Sequence, residues 1–242
     1  MRLGFLGCGT IASEVVRGLV GQGHQITVSE RSEKYASALA TEFAEVSVAA
    51  NADVVVQSDI LFLGLLAEAA PEILKGLPFR EDQRVVSFMA GAALPAVAAM
   101  VHPAEATAIM LPFPGIATGG SPILALGETE VLSDLFEPRD QIFGLADQAE
   151  LDLYLSAQAV LSPVALMLAE AGQWLGQNGA DPKRGERFLR ALVCNSLAAT
   201  PSPDLISALN TPGGYNQRLR LHMEKSGLAR DLKSGLDQLL KG

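Results

Sequence analysis

A glycine-rich turn near the start of the chain has the spacing that dinucleotide-binding proteins use to hold a pyrophosphate. A short apolar strand at residues 2–6 runs into Gly7-Cys-Gly-Thr-Ile-Ala12, and a helical pattern follows. Gly7 permits a sharp turn, Gly9 lets the backbone approach a phosphate because it has no Cβ, and Ala12 lets the helix pack on the strand. The N–H groups at the start of that helix attract an anion. We therefore expect cofactor contacts from Gly7, Cys8, Gly9, Thr10 and Ile11, and the alternative is a tight turn without a ligand.

The residues after the second strand bear on which nicotinamide dinucleotide is bound, because they meet the adenosine ribose in such folds. An acid at this position, here Glu30, binds the 2′-hydroxyl of NAD, whereas an Arg with a hydroxyl neighbour, here Arg31 and Ser32, accommodates the 2′-phosphate of NADP. We expect these three residues to contact the cofactor and NADP(H) to be preferred, with NAD(H) left open. The alternative is that Ser32 caps the next helix and Arg31 is solvated.

A third stretch, Gly64-Leu65-Leu66, follows the fourth strand at its carboxyl end. The cofactor crevice of a doubly wound sheet lies at that edge, so backbone contacts with the cofactor are expected there. Ordinary core packing explains the side chains of Leu65 and Leu66 equally well.

The elements that must position these residues alternate between strand and helix patterns over residues 1–147. This alternation predicts an α/β fold with a Rossmann-type, doubly wound and mostly parallel sheet. Strands are expected at 2–6, 25–29, 46–49, 60–65, 84–88 and 106–110, and at 122–126 and 141–145 on the sheet edge. Helices are expected at 10–21, 32–44, 52–57, 68–76 and 93–101.

From residue 148 the pattern becomes helical throughout, at 148–177, 183–199, 202–209, 213–226 and 228–240. We assign residues 1–147 to an NAD(P)-binding domain and residues 148–242 to a smaller, all-helical C-terminal domain. Its first helix is apolar on more than one face, which is typical of a helix that shares its core with a partner chain. We therefore expect a homodimer through the helical domain, and the alternative is burial within one chain.

Composition excludes several classes of function. The formal net charge is −9, which argues against a nucleic-acid or anionic-membrane surface. No apolar run approaches the roughly 18 residues of a membrane span, and no signal-peptide pattern precedes the first strand. Two cysteines form no disulfide framework and are interpreted as reduced thiols. These features predict a cytoplasmic protein, and no metal site is expected.

With these elements in place, the whole chain resembles the pyrroline-5-carboxylate reductase family. Besides the glycine turn, Asn51 matches an Asn that helps to hold the cofactor in that family, and it also marks a helix start. The segment Ser87-Phe-Met-Ala-Gly91 is similar to the Ser-x-x-Ala-Gly segment of the family, and Thr211-Pro-Gly-Gly214 is similar to its substrate loop. The resemblance implies an NADP-dependent enzyme that reduces pyrroline-5-carboxylate to proline.

The substrate half departs from that family. The Arg and Asn that the family carries after its sixth strand are absent from residues 108–114, and its Ser-Gly-Ser-Gly-Pro appears here as Ala159-Val-Leu-Ser-Pro163. The two Thr after Pro-Gly-Gly are Tyr215 and Asn216. The cofactor half is thus kept while the substrate half is altered and more apolar, which leaves a related imine open as the substrate.

The loop from Thr211 to Asn216 is expected to bind the substrate. Gly213 and Gly214 offer N–H groups at a helix start, which suit a carboxylate. Thr211 is expected to cap that helix or contact the substrate, and Asn216 stands where the family has a hydroxyl that meets the imine, so these two are the predicted catalytic residues. Ser162 is expected to contact the substrate, unless it only marks a helix start. A helix cap without a ligand is the alternative for the loop.

The supply of acid–base residues favours one type of acceptor. The chain has no Lys between Lys75 and Lys183, and its three His residues are His24, His102 and His222. Reduction of a carbonyl needs a proton donor, whereas an imine can arrive already protonated. We therefore expect reduction of the C=N of a small-molecule imine rather than of a carbonyl. The alternatives are another acceptor, such as a ketone or a deazaflavin cofactor, and a catalytically inactive dinucleotide-binding regulatory protein.

Overall fold

The chain consists of two compact units. The computed structural model describes residues 1–241, except for the side chain of Ser32. The first unit is Met1–Leu151, and the second begins at Asp152. The boundary that the sequence predicts, between residues 147 and 148, lies four residues earlier, at the start of a helix that runs across the junction.

The first unit is built on one eight-stranded sheet, as the sequence predicts. Its strands are β1 Arg2–Leu6, β2 Gln25–Ser29, β3 Val46–Ala49, β4 Ile60–Leu63, β5 Arg84–Ser87, β6 Glu105–Pro112, β7 Pro122–Gly127 and β8 Gln141–Leu145. Their order across the sheet is β3-β2-β1-β4-β5-β6-β7-β8, and only the β6–β7 pair is antiparallel. The chain first winds outward from β1 to β3 and then resumes on the other side of β1, which creates a topological switch point between β1 and β4.

Helices cover both faces of this sheet, as a parallel sheet requires. They are α1 Thr10–Leu19, α2 Glu33–Glu42, α3 Asn51–Gln57, α4 Ala70–Leu74, α5 Leu94–Val101 and α6 Glu130–Phe136. Side chains alternate along β1, so Phe5 packs with Val16 of α1 in one core, and Leu6 packs with Val97 of α5 in the other. This sandwich holds the carboxyl ends of the strands in fixed positions.

An ion pair between the buried Asp140 carboxylate and the partly exposed Arg139 guanidinium ties the edge of the sheet to α1. The carboxylate of Asp140 accepts a hydrogen bond from the Ser121 backbone N–H at 2.9 Å and pairs with the Arg139 guanidinium at 2.8 Å. The same guanidinium donates to the carbonyl oxygens of Gly18 and Ile116. Because all of these groups are partnered, the buried charge of Asp140 is compensated.

The second unit is helical, as predicted. Its elements are α7 Gln148–Ala157, α8 Leu161–Gln177, α9 Pro182–Ala199, α10 Ser202–Ala208, α11 Tyr215–Lys225 and α12 Leu228–Lys241. The sequence predicts one helix over 148–177, but a 3-10 turn at Gln158–Val160 separates α7 from α8. The physical reason is Pro163, which has no N–H to donate to the carbonyl one turn earlier.

The helical unit has almost no interior of its own. Among its described residues only Gly172 is buried, at the point where α8 crosses α9. Large apolar side chains lie in solvent instead, and Trp174 and Phe188 are 60% and 62% exposed. Contrary to the expectation that no apolar run approaches the length of a membrane span, the segment Gln148–Gln177 is long and apolar enough, by length and composition, to cross a membrane, and only 6% of its most apolar stretch is buried. In this state the unit therefore presents apolar surface that a folded protein normally covers.

Candidate functional site

A cleft opens at the carboxyl edge of the sheet, at the switch point between β1 and β4. Its volume is about 330 Å³, and none of its lining residues is ionisable. They are Gly9, Ile11, Ala12, Gly64, Leu65, Leu66, Phe88, Leu111 and Pro112. Ligands of doubly wound sheets bind at this position, and the predicted glycine turn and the predicted Gly64–Leu66 segment meet in it.

Two glycines of the turn have different physical reasons to be glycine. Gly7 has a φ of +86°, and a Cβ there would lie 2.4 Å from the Gly64 carbonyl oxygen. Gly9 has a φ of −80° and heads α1, and a Cβ there would have no atom within 4 Å. A Ser or Asn at this cap position would stabilise the helix better than glycine. The fold therefore requires Gly7, whereas Gly9 keeps space open in front of the helix N-terminus.

Hydrogen bonds attach the turn to the second strand. The Gly7 N–H donates to the buried Ser29 Oγ at 2.9 Å. The hydroxyls of Thr10, the first residue of α1, and Tyr35 in α2 are 3.0 Å apart. The sequence analysis missed both Ser29 and Tyr35. A hydroxyl at the last position of β2 and a tyrosine three residues after Ser32 were the available signals.

Cys8 lies inside the turn and is fully buried. Burial raises the pKa of its thiol to about 11, so the thiol is neutral at physiological pH. A neutral, enclosed thiol is a poor nucleophile. Cys8 can therefore contribute its backbone and its packing to a cofactor site, but no redox chemistry.

The corner after β2 exposes both of the predicted specificity residues. Residues Glu30–Ser32 form a 3-10 turn, and α2 starts at Glu33 rather than at residue 32. Glu30 and Arg31 are exposed, and Arg31 has no ion-pair partner among the described residues, so its guanidinium is free to meet a phosphate. The side chain of Ser32 lies outside the described part of the chain.

The remaining residues predicted to contact the cofactor follow β3 and β4. Asn51 is the first residue of α3, so the helix begins one residue before the predicted start at 52 and is capped by Ala50. The side chain of Leu66 is 69% exposed at the cleft, so core packing does not explain it, whereas Leu65 is half-buried against the core. Phe88 was not predicted to line the cleft, and its ring centroid lies 5.5 Å from that of Phe62.

The predicted substrate loop lies in the helical unit and is exposed. Gly214 heads α11, and its N–H bonds to the Thr211 carbonyl rather than to the Thr211 hydroxyl, so of the two roles predicted for Thr211 a substrate contact stays a prediction. The Gly213 N–H donates to Gln217 Oε1 at 2.8 Å, and the Gly214 N–H donates to the Thr211 carbonyl at 2.9 Å. These two donors are used within the loop because Gly213, with a φ of +74°, closes a tight turn.

The backbone N–H groups that are available for an anion therefore lie one to three residues after Gly214. The first N–H of α11 that bonds within the helix is that of Arg218, to the Gly214 carbonyl at 3.0 Å. The N–H groups of residues 215–217, which include Asn216, precede it and have no intrahelical acceptor. Ser162 is exposed in the first turn of α8, as the helix-start interpretation predicts.

Comparison with known proteins confirms the fold. Residues 2–91 match the family model described as NADP oxidoreductase, coenzyme F420-dependent. The pyrroline-5-carboxylate reductase of Streptococcus pyogenes aligns with a TM-score of 0.82 at 21% identity, covering 100% of this chain and 97% of that one. The Plasmodium falciparum pyrroline carboxylate reductase with NADP bound gives 0.83 at 14% identity, covering 100% and 96%.

A more distant likeness is to an imine reductase from Pseudomonas sp., with a TM-score of 0.61 at 18% identity, covering 99% of this chain and 91% of that one. No curated protein matches the sequence. At these identities the likeness establishes the two-domain architecture over the full length, and the predicted resemblance to pyrroline-5-carboxylate reductases is confirmed at the level of the fold.

Proposed function

We propose that this protein is an NADP(H)-dependent reductase that transfers a hydride to the C=N bond of a cyclic imine carboxylate, either pyrroline-5-carboxylate or a related imine. The observation that carries the proposal is the open space at Gly9, which the fold itself does not require. A pyrophosphate placed there meets the N–H groups at the start of α1. The residues present thus fit a dinucleotide, which when bound supplies the hydride.

The apolar cleft favours an imine as the acceptor. None of its lining residues can donate a proton, because all nine are glycine, alanine, proline or larger apolar residues. A carbonyl would need such a donor, whereas a protonated imine needs only the hydride to become an amine.

The preference for NADP(H) depends on the free guanidinium of Arg31, with Ser32 beside it in sequence. A 2′-phosphate matches a guanidinium in charge and in planar hydrogen bonding. Glu30 is equally exposed and would favour the 2′-hydroxyl of NAD(H). Single substitutions at Arg31 and at Glu30 should therefore change the affinities for NADPH and for NADH separately.

The substrate would be held by the helical unit. The first unit carries 8 Lys and Arg against 19 Asp and Glu, whereas the second carries 10 against 8. An anionic acceptor is therefore repelled less by the second unit. We assign its carboxylate to the free N–H groups of residues 215–217, presented by the Gly213–Gly214 turn that starts at Thr211. Asn216 would hydrogen-bond the reacting nitrogen, and Ser162 is a further contact.

NADPH oxidation by the purified protein tests the reaction. We expect turnover with pyrroline-5-carboxylate or with another cyclic imine carboxylate, and none with 2-keto acids. The family description of residues 2–91 makes a deazaflavin the second candidate acceptor, to be assayed in parallel. Turnover of a ketone or a deazaflavin alone would refute the imine assignment. Tight NADPH binding without any turnover would identify a dinucleotide-binding regulatory protein instead.

We further propose that the helical unit pairs with a second copy of this chain. An apolar groove of about 830 Å³ runs between α8 and α12, with Val164, Met167 and Leu232 among its lining residues. A unit with no buried apolar side chain cannot stabilise itself, so an obligate, core-like interface is expected. The free thiols of both cysteines support a cytoplasmic location.

Light scattering on the eluting protein tests this pairing. We expect a dimer, which Met167→Glu converts to monomer or aggregate, whereas the matched change Phe143→Glu on the exposed face of β8 leaves it intact. A monomer that floats with phosphatidylcholine vesicles would show that a membrane covers the helical unit instead.

A further inference from the structure

A pair of hydroxyl groups bridges the starts of two helices beside the glycine turn. The Thr10 Oγ1 and the Tyr35 hydroxyl lie 3.0 Å apart, which joins the first residue of α1 to the third residue of α2. Tyr35 is half-buried and packs against the core of the first unit, whereas Thr10 is exposed. The Lys34 ammonium lies 6.0 Å from the centre of the Tyr35 ring.

The position of Thr10 places its hydroxyl, one partner of this hydrogen bond, at the start of α1. Gly9 heads α1 without a side chain, so the Thr10 hydroxyl is the first side-chain oxygen of the helix. A hydroxyl can accept one hydrogen bond and donate another at the same time. When Tyr35 donates to Thr10 Oγ1, the Thr10 proton remains available for an anion in front of the helix. The ring of Tyr35, fixed by packing, determines where that proton is held.

A purely structural role explains the bridge less well. The turn is already attached to β2 by the buried hydrogen bond from the Gly7 N–H to Ser29. A hydrogen bond at an exposed threonine adds little to stability, because water replaces either partner. The Thr10–Tyr35 hydrogen bond is therefore better explained by the orientation of the Thr10 hydroxyl than by a contribution to the stability of the fold.

We infer that Tyr35 is a positioning residue for the cofactor, orienting the Thr10 hydroxyl toward the pyrophosphate. This rests on the proposed function, because it requires that a dinucleotide binds at the turn. The pyrophosphate is common to NADPH and NADH, so Tyr35 contributes to both affinities alike. Arg31 differs from it, since a contact with the 2′-phosphate distinguishes the two cofactors.

Equilibrium titration of the full chain with NADPH and with NADH tests the inference. Tyr35→Phe removes the hydroxyl and keeps the packed ring, and we expect both dissociation constants to rise by about three- to tenfold, with their ratio unchanged. In a Thr10→Val background the same change should have no further effect, whereas in a Thr10→Ser background it should keep its full effect. The melting temperature of the free chain, which a merely structural bridge would lower, should stay the same.

Four results would overturn the inference. If Tyr35→Phe binds both nucleotides with wild-type affinity, Tyr35 has no role in cofactor binding. If the variant loses affinity for NADPH alone, Tyr35 acts on the 2′-phosphate itself. A loss of affinity that persists in full in the Thr10→Val background shows that Tyr35 does not act through Thr10. If the wild-type chain binds neither nucleotide, the proposed function fails and the inference fails with it. Normal wild-type binding with an unaffected variant refutes the inference alone.

Discussion

Replacing Gly9 by alanine should weaken cofactor binding without harming the fold. The new methyl group meets no protein atom within 4 Å, and the φ of −80° is one that alanine adopts freely. The loss of freedom in the unfolded chain would stabilise the alanine variant by about 0.4–1 kcal/mol, and the poorer capping by alanine offsets this by a similar amount, so we expect little net change in stability. The same methyl group projects into the space that a pyrophosphate needs, so we expect the dissociation constant for NADPH to rise at least about tenfold, or about 1.4 kcal/mol.

The matched change, Gly7→Ala, should instead destabilise the fold. A φ of +86° costs alanine roughly 1–2 kcal/mol, and its Cβ would lie 2.4 Å from the Gly64 carbonyl oxygen, which is backbone and cannot swing away. We therefore expect a loss of at least about 2 kcal/mol. In a chain of this length such a loss lowers the melting temperature by roughly 4–8 °C.

Thermal denaturation of the free chain, together with NADPH titration followed by nucleotide fluorescence, separates the two effects. The reasoning is refuted if Gly9→Ala binds NADPH as the wild type does, because Gly9 would then face no phosphate. It is also refuted if Gly9→Ala melts well below the wild type, because the fold would then need glycine at that position.

Three further outcomes follow from other residues. Arg31→Ala should weaken NADPH binding by about ten- to a hundredfold and change NADH binding by less than about twofold, while Glu30→Ala should weaken only NADH; equal losses at Arg31 for both nucleotides would contradict the 2′-phosphate assignment. Asp140→Ala should destabilise the chain by about 1–3 kcal/mol in urea unfolding, because it leaves the buried Ser121 N–H without its acceptor and the partly exposed Arg139 guanidinium without its carboxylate, and a loss below about 0.5 kcal/mol would contradict this. In a Cys194→Ser background, the Cys8 thiol should resist alkylation at pH 8 until the chain is denatured. Because burial raises the pKa of Cys8 from 9.0 to about 11, the folded chain holds this proton more tightly, so stability should fall as the pH rises above 9 and not below it.

The elements were largely predictable because each carries one clear periodicity. All eight strands were predicted. The central strands, such as β1 and β4, are buried and form continuous apolar runs, whereas β3 and β8 are short, apolar and partly exposed. Helix α6 was not predicted at all, and the single helix predicted over 148–177 is divided by a 3-10 turn. The other errors lie at element ends. The fourth strand was predicted to reach residue 65 but stops at Leu63, because the close approach of Gly64 to Gly7 ends the pairing. Such a contact joins residues far apart in sequence, so no local pattern reports it.

The candidate site was predictable where the backbone itself binds and not where side chains meet across elements. The spacing of Gly7 and Gly9 follows from the geometry of a turn, so the sequence displays it. The pairing of Thr10 with Tyr35 depends on how α1 and α2 pack, which no spacing rule contains. At the substrate loop, glycine at position 213 suggested a free N–H donor, but this N–H donates to the side-chain Oε1 of Gln217 in α11.

The reciprocal approach of Gly7 and Gly64 has a consequence for how this chain tolerates change. A Cβ at Gly7 would lie 2.4 Å from the Gly64 carbonyl oxygen, and a Cβ at Gly64 would lie 2.5 Å from the Gly7 carbonyl oxygen. Nothing is smaller than glycine, so no second substitution can compensate for a side chain at either position. A library selected only for soluble protein should keep both of these glycines and let position 9 vary. A library selected for nucleotide binding should keep all three, so the two selections record the needs of the fold and of the ligand separately.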